Sequence, residues 1–292
     1  MTTAALLLLL LGPSPCESAG GVLPSQLLLL VNNARLEAGR APVAPEPRLC
    51  ELAAWRAEGV AVAGRPQTEL RDLNDARTRL YRSGYQSHAW VEGSIFASTP
   101  AGLHRRWRDL RPAFWQRLAE DDFEHFGVSV VQQEDGLAVA LMAALSKRTH
   151  EWQQAAPLAN LPVVRQQVLD ATNAARVEAG RRPLVASAEL DRVAQAHAED
   201  MLRRAFYNHL NPEGLSPLGR VRAAGVQVRG QVSENIAKGP FDPAEVVERW
   251  MASSGHRRNI LRGSAGKLGV GVAFGENDRG FEILWVQVFA GR

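Results

Sequence analysis

The second half of the chain begins with an amphipathic helix. The residues of its apolar stripe are Val168, Leu169, Thr172 and Ala175. Gly180 follows where a helix end favours glycine, and Pro183 prevents the helix from continuing. The pattern therefore predicts a helix that ends close to residue 180.

Two further helices are predicted from periodicity and capping residues. One spans about 187–206 with Ser187 as N-cap, and the other spans about 243–252 with Asp242 as N-cap. The apolar face of the first consists of Leu190, Val193, Ala194, His197 and Met201.

Two alternating strands close this half. They cover 268–275 and 281–290, and a polar turn joins them. Helices followed by an antiparallel hairpin predict an α+β layered domain.

The same pattern occurs earlier in the chain. Residues 32–42 resemble residues 173–183 at an offset of 173 − 32 = 141, and Trp107 and Trp250 repeat the match further on. A repeat of this length indicates two copies of one domain. We predict domains at 22–146 and 163–292, joined by a linker over 147–162, which has no clear periodicity.

The N-terminus carries a leucine run from Leu6 to Leu11, too short to span a bilayer. It predicts a signal peptide over 1–21, although no lysine or arginine precedes it. We expect a secreted or periplasmic protein without a transmembrane segment after signal removal. Cleavage after Cys16 would leave Cys50 alone, as a buried apolar residue without a disulfide partner.

The net charge of +3 comes mainly from arginine, since the chain has only three lysines. The positive charges are scattered and not interleaved with aromatic residues, so we expect no nucleic-acid binding. The chain also lacks the HExxH, paired CxxC and P-loop motifs of common metalloproteases, zinc fingers and nucleotide-binding proteins.

The polar side chains with chemical potential lie in the second copy. His209 occurs in NHLNPEG, Glu234 in SENIA and His256 in GHRRNIL, while the last strand carries Trp285 and Gln287. In this order, the four segments resemble the CAP superfamily of cysteine-rich secretory, antigen 5 and pathogenesis-related 1 proteins, in its bacterial form.

The resemblance implies a three-layer α-β-α sandwich in two tandem copies, with an open groove. In many members this groove holds two histidines and two acidic residues that are able to bind a divalent metal such as zinc. Here His209 and Glu234 match, whereas Ser253 replaces the second acid and Leu284 the strand histidine. His256 would supply the second imidazole. Asn235, Ser253, Trp285 and Gln287 are expected to support the groove.

Three roles remain open for His209, Glu234 and His256. They would suffice as a zinc shell with an open position, or as an acid–base set for bound water. Alternatively, they are structural and hold loops in place. A Ser253–His256–Glu234 triad lacks a surrounding GxSxG elbow, and His197 is expected to be a core histidine.

The first copy has lost these residues. At the repeat offset, Gly93 stands for Glu234 and Ala113 for His256, and Thr68 falls near His209. We therefore predict a degenerate CAP-like domain that contacts the second one.

The favoured function is an exported binding module for a lipid, glycan or peptide of the cell envelope or surroundings. The alternatives are a peptide or ester hydrolase that uses His209, Glu234 and His256, and a structural envelope protein.

Overall fold

The computed structural model describes Cys16 and residues 23–63, 71–97 and 103–291. The chain divides into two compact units, Met1–His150 and Glu151–Arg292, called here the N-unit and the C-unit. The predicted signal peptide lies outside the described residues except for Cys16. None of the helices in these ranges has the length and apolar character needed to cross a membrane.

The N-unit surrounds a four-stranded sheet with helices. Its helices are α1 (Leu23–Glu37), α2 (Pro47–Ala63), α3 (Arg71–Arg82), α4 (Leu103–Leu110) and α5 (Pro112–Glu120). Its strands are β1 (Ala44–Pro45), β2 (Ser87–Ala97), β3 (His125–Gln133) and β4 (Gly136–Ser146). The strand order is β1-β3-β4-β2, parallel between β1 and β3 and otherwise antiparallel.

The C-unit has the same strand order, β5-β7-β8-β6, with the same directions. Its strands are β5 (Val185–Ala186), β6 (Ser233–Lys238), β7 (Ala265–Asn277) and β8 (Gly280–Gly291). Its helices are α7 (Leu161–Glu178), α8 (Ala188–Arg203), α9 (Pro217–Ala223), α10 (Pro243–Ala252) and α11 (Ser254–Ile260). A further helix, α6 (Lys147–Ala155), spans the division between the two units.

Alternation along β8 separates two apolar cores. Ile283, Trp285 and Phe289 face a core shared with α7, α10 and α11. Leu284 and Val286 face the opposite core, which α8 covers. Helices therefore lie on both sides of the sheet, and the predicted α+β architecture with three layers is confirmed for the C-unit.

The capping predictions agree with the structure. The Ser187 side chain accepts a hydrogen bond from the Leu190 amide, and Asp242 accepts from Ala244 and Glu245. All five residues of the predicted apolar face of α8 are buried. On α7, Val168 and Thr172 are buried, while the fully buried Arg176 was not foreseen.

Most of the segment 147–162 is helical. After α6, a short 3₁₀ turn covers Ala156–Ala159 and α7 begins at Leu161. Pro162 lies in the first turn of α7, where a missing amide proton costs nothing. The sequence interpretation took this proline as the end of a linker, although it also fits a helix start.

Cys50 is buried, but the expectation that it has no disulfide partner is wrong. The structure joins Cys16 and Cys50, whose Cα atoms are 5.1 Å apart. The expectation depended on cleavage after Cys16. A mature protein that keeps this disulfide retains Cys16.

One buried arginine fixes equivalent segments in both units. Arg176 donates to the carbonyls of Arg182, Ile260 and Arg262 at 2.5–3.0 Å. Arg35 donates to those of Ala41, Leu118, Asp121 and Phe123 at 2.7–3.0 Å. In the C-unit, this arginine holds the segment that follows α11 against α7, and so fixes one wall of the groove described below.

Candidate functional site

Glu234 lies on β6 with its side chain 1% exposed. Its Oε1 accepts from Nδ1 of His209 at 2.8 Å, and its Oε2 forms an ion pair with Nη2 of Arg220. Both carboxylate oxygens are therefore engaged. Because Nδ1 of His209 is held, this ring is fixed with Nε2 as its remaining polar atom.

Arg220 was missed by the sequence analysis. It lies on α9, and Nη1 donates to the carbonyls of His209 at 2.7 Å and Leu215 at 2.9 Å. The same guanidinium therefore binds Glu234 and the loop that carries His209. No periodic pattern in the sequence predicts such a contact between a short helix and a neighbouring loop.

His197 lies beneath this pair and is buried, in agreement with the core role expected for it. Its Nε2 donates to the Asn208 carbonyl at 3.0 Å and is 3.9 Å from Oε1 of Glu234. Burial lowers the pKa of His197, although the charge of Glu234 acts in the opposite direction. The neutral ring thus fixes the start of the loop that carries His209.

His256 lies on α11 and is partly buried. Desolvation lowers its pKa, and the neighbouring His209 lowers it further. Its backbone carbonyl accepts from Nδ2 of Asn235 at 3.2 Å. His209 and His256 border the same cavity.

A chain of side-chain amides connects the core to α11. Gln287 donates to Thr172 at 2.8 Å, and Asn235 donates to Gln287 at 3.2 Å. Asn259 then donates to Asn235 at 2.9 Å and accepts from Nη2 of Arg262 at 3.1 Å. Thr172, Asn235 and Gln287 are fully buried, so the network holds the residues around His256 in place.

These residues border an open groove of about 990 Å³. Its basic lining residues are Arg181, His209, His256, Arg257, Arg258 and Arg262. Glu234 is the one acidic residue among the described lining residues, and Arg220 neutralises it. The groove surface is therefore strongly basic.

None of the four expected support residues lines the groove, although Asn235 and Gln287 hold it from beneath through the amide network. Trp285 is buried, and its Nε1 donates to the Pro240 carbonyl at 2.9 Å. Ser253 joins α10 to α11, and no hydrogen bond connects its side chain to His256 in the described structure. The residues Ser253, His256 and Glu234 are thus not arranged as a triad.

The residues do not fit a three-ligand metal site. Both oxygens of Glu234 are bound to His209 and Arg220, and four arginines line the same groove. Within the described ranges, no group of three or more His, Cys, Asp or Glu side chains is arranged to hold an ion. Zinc binding by His209, Glu234 and His256 stays a prediction.

Strand register changes the correspondence between the units. Gly127 and Gly269 pack against Leu49 and Leu190, respectively, and anchor the alignment. In the N-unit, Gly127 on β3 pairs with Met142 on β4, and Met142 pairs with Glu92 on β2. In the C-unit, Gly269 on β7 pairs with Val288 on β8, and Val288 pairs with Glu234 on β6. Glu92, rather than Gly93, therefore corresponds to Glu234.

Glu92 binds Arg56 at 2.5 Å, and Arg56 takes the place of His197 because it lies seven residues after Leu49. The carbonyls of Leu118 and Ile260 accept hydrogen bonds from the equivalent buried arginines and therefore occupy equivalent positions. Phe114 and His256 each lie four residues before them, so Phe114 rather than Ala113 corresponds to His256. Phe114 packs on Trp107 with ring centroids 5.0 Å apart. Thr68, near which His209 was aligned, lies outside the described residues.

Residues 169–289 match the family model "CAP: Cysteine-rich secretory protein family". The protein YkwD of Bacillus subtilis is 35% identical over 127 residues, which are 44% of this chain and 47% of YkwD. The membrane protein YlbC of the same organism is 36% identical over 107 residues, covering 37% of this chain and 31% of YlbC. The matches thus span less than half of either relative.

An extracellular protein of Bacillus anthracis that contains an SCP domain has a similar solved structure, with 19% identity and a TM-score of 0.41. The similarity covers 74% of this chain and 71% of that one. The family match does not extend to the first copy, whose origin as a degenerate CAP-like domain stays a prediction. Residues 169–289 form a CAP domain of the cysteine-rich secretory protein family.

Proposed function

We propose that the protein is an exported binding module and that the groove of the C-unit receives a component of the cell envelope or its surroundings. The observation that carries this proposal is the state of Glu234, whose two oxygens hold His209 and Arg220. The carboxylate thus shapes the groove. Export rests on the leucine run before residue 12.

A hydrolase is less well supported by this arrangement. General acid–base catalysis needs a proton acceptor within reach of the reacting group. Glu234 is 1% exposed and already paired, and Ser253 makes no hydrogen bond to His256. A neutral His256 remains as a candidate base, which a peptide and ester library tests directly.

A purely structural cluster is also less well supported. Such a role leaves little reason for exposure, yet the His209 side chain is 48% exposed. Arg257 and Arg258 are exposed beside it. These side chains contribute little to the core, whereas a ligand in the groove would meet all of them.

The test is to fill the groove without disturbing the fold. A Cβ atom at Gly255 would meet one atom within 4 Å, a terminal nitrogen of Arg258 at 3.9 Å. We therefore expect Gly255→Trp to fold and to obstruct the groove. Ala174→Trp is the matched control, because Ala174 lies on the exposed face of α7.

The full chain is sedimented with bacterial envelope fragments. We expect the native chain and Ala174→Trp to sediment together with the fragments and Gly255→Trp to lose at least about tenfold in affinity, the loss that follows from about 1.4 kcal/mol. Equal sedimentation of all three proteins, or none by the native chain, would contradict the proposal. Turnover of a peptide or ester that His256→Ala abolishes would favour the hydrolase.

A further inference from the structure

The groove presents an excess of positive charge without local compensation. Arg181, Arg257 and Arg258 are exposed. Among the described residues, no carboxylate forms an ion pair with these three or with Arg262. Unpaired guanidinium groups gathered in one concave surface attract anions and repel divalent cations. The charge thus selects the sign of the ligand.

Arg262 has donor capacity left over. Its Nη2 donates to Asn259, whereas Nη1 is buried and has no hydrogen-bond partner in the described structure. A buried guanidinium nitrogen without an acceptor is costly unless a ligand supplies one. Arg262 lines the groove, so an oxygen-rich anion bound there would lie next to this guanidinium group.

The backbone around Arg262 is fixed in advance. Arg176 holds the carbonyls of Ile260 and Arg262, and the amide network holds Asn259. A ligand therefore meets a prearranged floor, which reduces the ordering cost of binding. Exposed arginines on a mobile surface would not give the same selectivity.

We propose that the groove binds phosphate groups, an inference that rests on the proposed binding function. Arginine forks match the oxygens of phosphate in pairs, and several guanidinium groups suit an anion with more than one charge. Neutral His256 adds an N–H donor at the same surface, whereas the Nδ1–H of His209 is already donated to Glu234. The phosphate is carried by a lipid headgroup or is free in solution.

The first experiment is a calorimetric titration of the full chain with inorganic pyrophosphate, beside Arg257→Gln/Arg258→Gln and Arg262→Gln. We expect the double variant and the single variant each to weaken binding at least about tenfold. The matched control is Arg40→Gln/Arg117→Gln in the N-unit, where Asp122 and Asp121 already pair with these arginines. Circular dichroism verifies that each variant is folded.

The second arm uses vesicles of phosphatidylcholine with and without phosphatidylglycerol. Binding of pyrophosphate that depends on the groove arginines supports a free phosphate source. Equivalent binding to phosphatidylglycerol vesicles alone supports a lipid headgroup. No binding to either probe, or equal loss in the N-unit control, overturns the inference.

The two proposals fail separately. If Gly255→Trp abolishes sedimentation with envelope fragments while neither phosphate probe binds, the groove is a binding site with another ligand. If pyrophosphate binds through the groove arginines and Gly255→Trp still sediments normally, the groove binds phosphate but envelope docking is wrong.

Discussion

The N-unit and the C-unit build different surfaces on the same framework. Both have one strand order, one buried arginine and one asparagine that closes the first loop, Asn32 on Val43 and Asn173 on Leu184. The residues above this framework differ. Chemistry in this protein is therefore determined by a few side chains at shared positions.

In the N-unit these positions are neutralised or filled. Arg40, the counterpart of Arg181, pairs with Asp122 at 2.7 Å, and Asp121 stands where the C-unit has Arg262. Phe114 occupies the place of His256 and packs over Gly93, where an added Cβ would lie 3.0 Å or less from Trp107 and Phe114. The space that forms a groove in the C-unit is here apolar core.

The largest effect is expected from the buried arginines. Arg176→Leu leaves three carbonyls without their donor, and we expect a loss of about 5 kcal/mol from the stability of the C-unit. Arg35→Leu should destabilise the N-unit to a similar extent. Segment-resolved hydrogen exchange measures each unit separately. Equal loss of protection in both units with either variant would show that the framework does not act within one unit.

The paired carboxylates come next. Glu234→Gln removes the partner of Arg220, whose side chain is 10% exposed, and should cost about 3–4 kcal/mol. Glu92→Gln should have a similar cost in the N-unit through Arg56. Only Glu234→Gln should also change the affinity for pyrophosphate, because Glu234 lines the groove and holds both His209 and Arg220. Equal affinity in both variants would contradict the assigned role of Glu234.

Substitution of the counterparts Phe114 and His256 should reduce stability to different extents. Phe114 is 9% exposed, so Phe114→Ala should open a cavity and cost about 3 kcal/mol in urea unfolding. His256 is partly exposed, and His256→Ala should cost less than about 1 kcal/mol. A similar cost for both would assign His256 to the structural framework.

The smallest effect is a pH dependence of the unfolding free energy, which we expect from His197 in the C-unit. The pKa of His197 lies below its ordinary value of 6.5, chiefly because of burial. At a pH between the lowered pKa of folded His197 and 6.5, His197 binds a proton in the unfolded chain but not in the folded one. The stability therefore falls as the pH falls through this window, and it levels off below the folded pKa. The groups that face His197 are Glu234, Arg220 and Asp200.

His197→Gln should flatten this part of the profile relative to the native chain. Urea unfolding between pH 7.5 and 5 provides the comparison. An unchanged slope in His197→Gln would show that another group dominates the acid response.

Local signals in the sequence were sufficient to predict much of the secondary structure of the C-unit. Ser187 and Asp242 cap helices as predicted, because capping depends on neighbours within three residues. The closing strands were also identified, although they extend further, to Ala265–Asn277 and Gly280–Gly291. The CAP resemblance, carried by four short segments, agrees with the family match over 169–289.

Contacts between distant segments were not accessible in this way. Arg220 reaches Glu234 across 14 residues, and Arg176 reaches Ile260 across 84. The repeat of Arg35 and Arg176 was visible, but its meaning requires the carbonyls that they bind. The strand register also required the structure. The sequence offset assigned Gly93 to Glu234, whereas the strand pairing assigns Glu92, one residue earlier.

Arg181 and its N-unit counterpart Arg40 provide the most direct test of phosphate binding by the groove. Parallel calorimetric titrations with pyrophosphate compare the full chains carrying Arg181→Gln and Arg40→Gln, which remove the same charge from equivalent positions. Arg181 has no acidic partner among the described residues, whereas Arg40 is paired with Asp122. If the groove binds phosphate, Arg181→Gln should bind pyrophosphate more weakly and Arg40→Gln should keep the native affinity. Equal affinities in the two variants would contradict it.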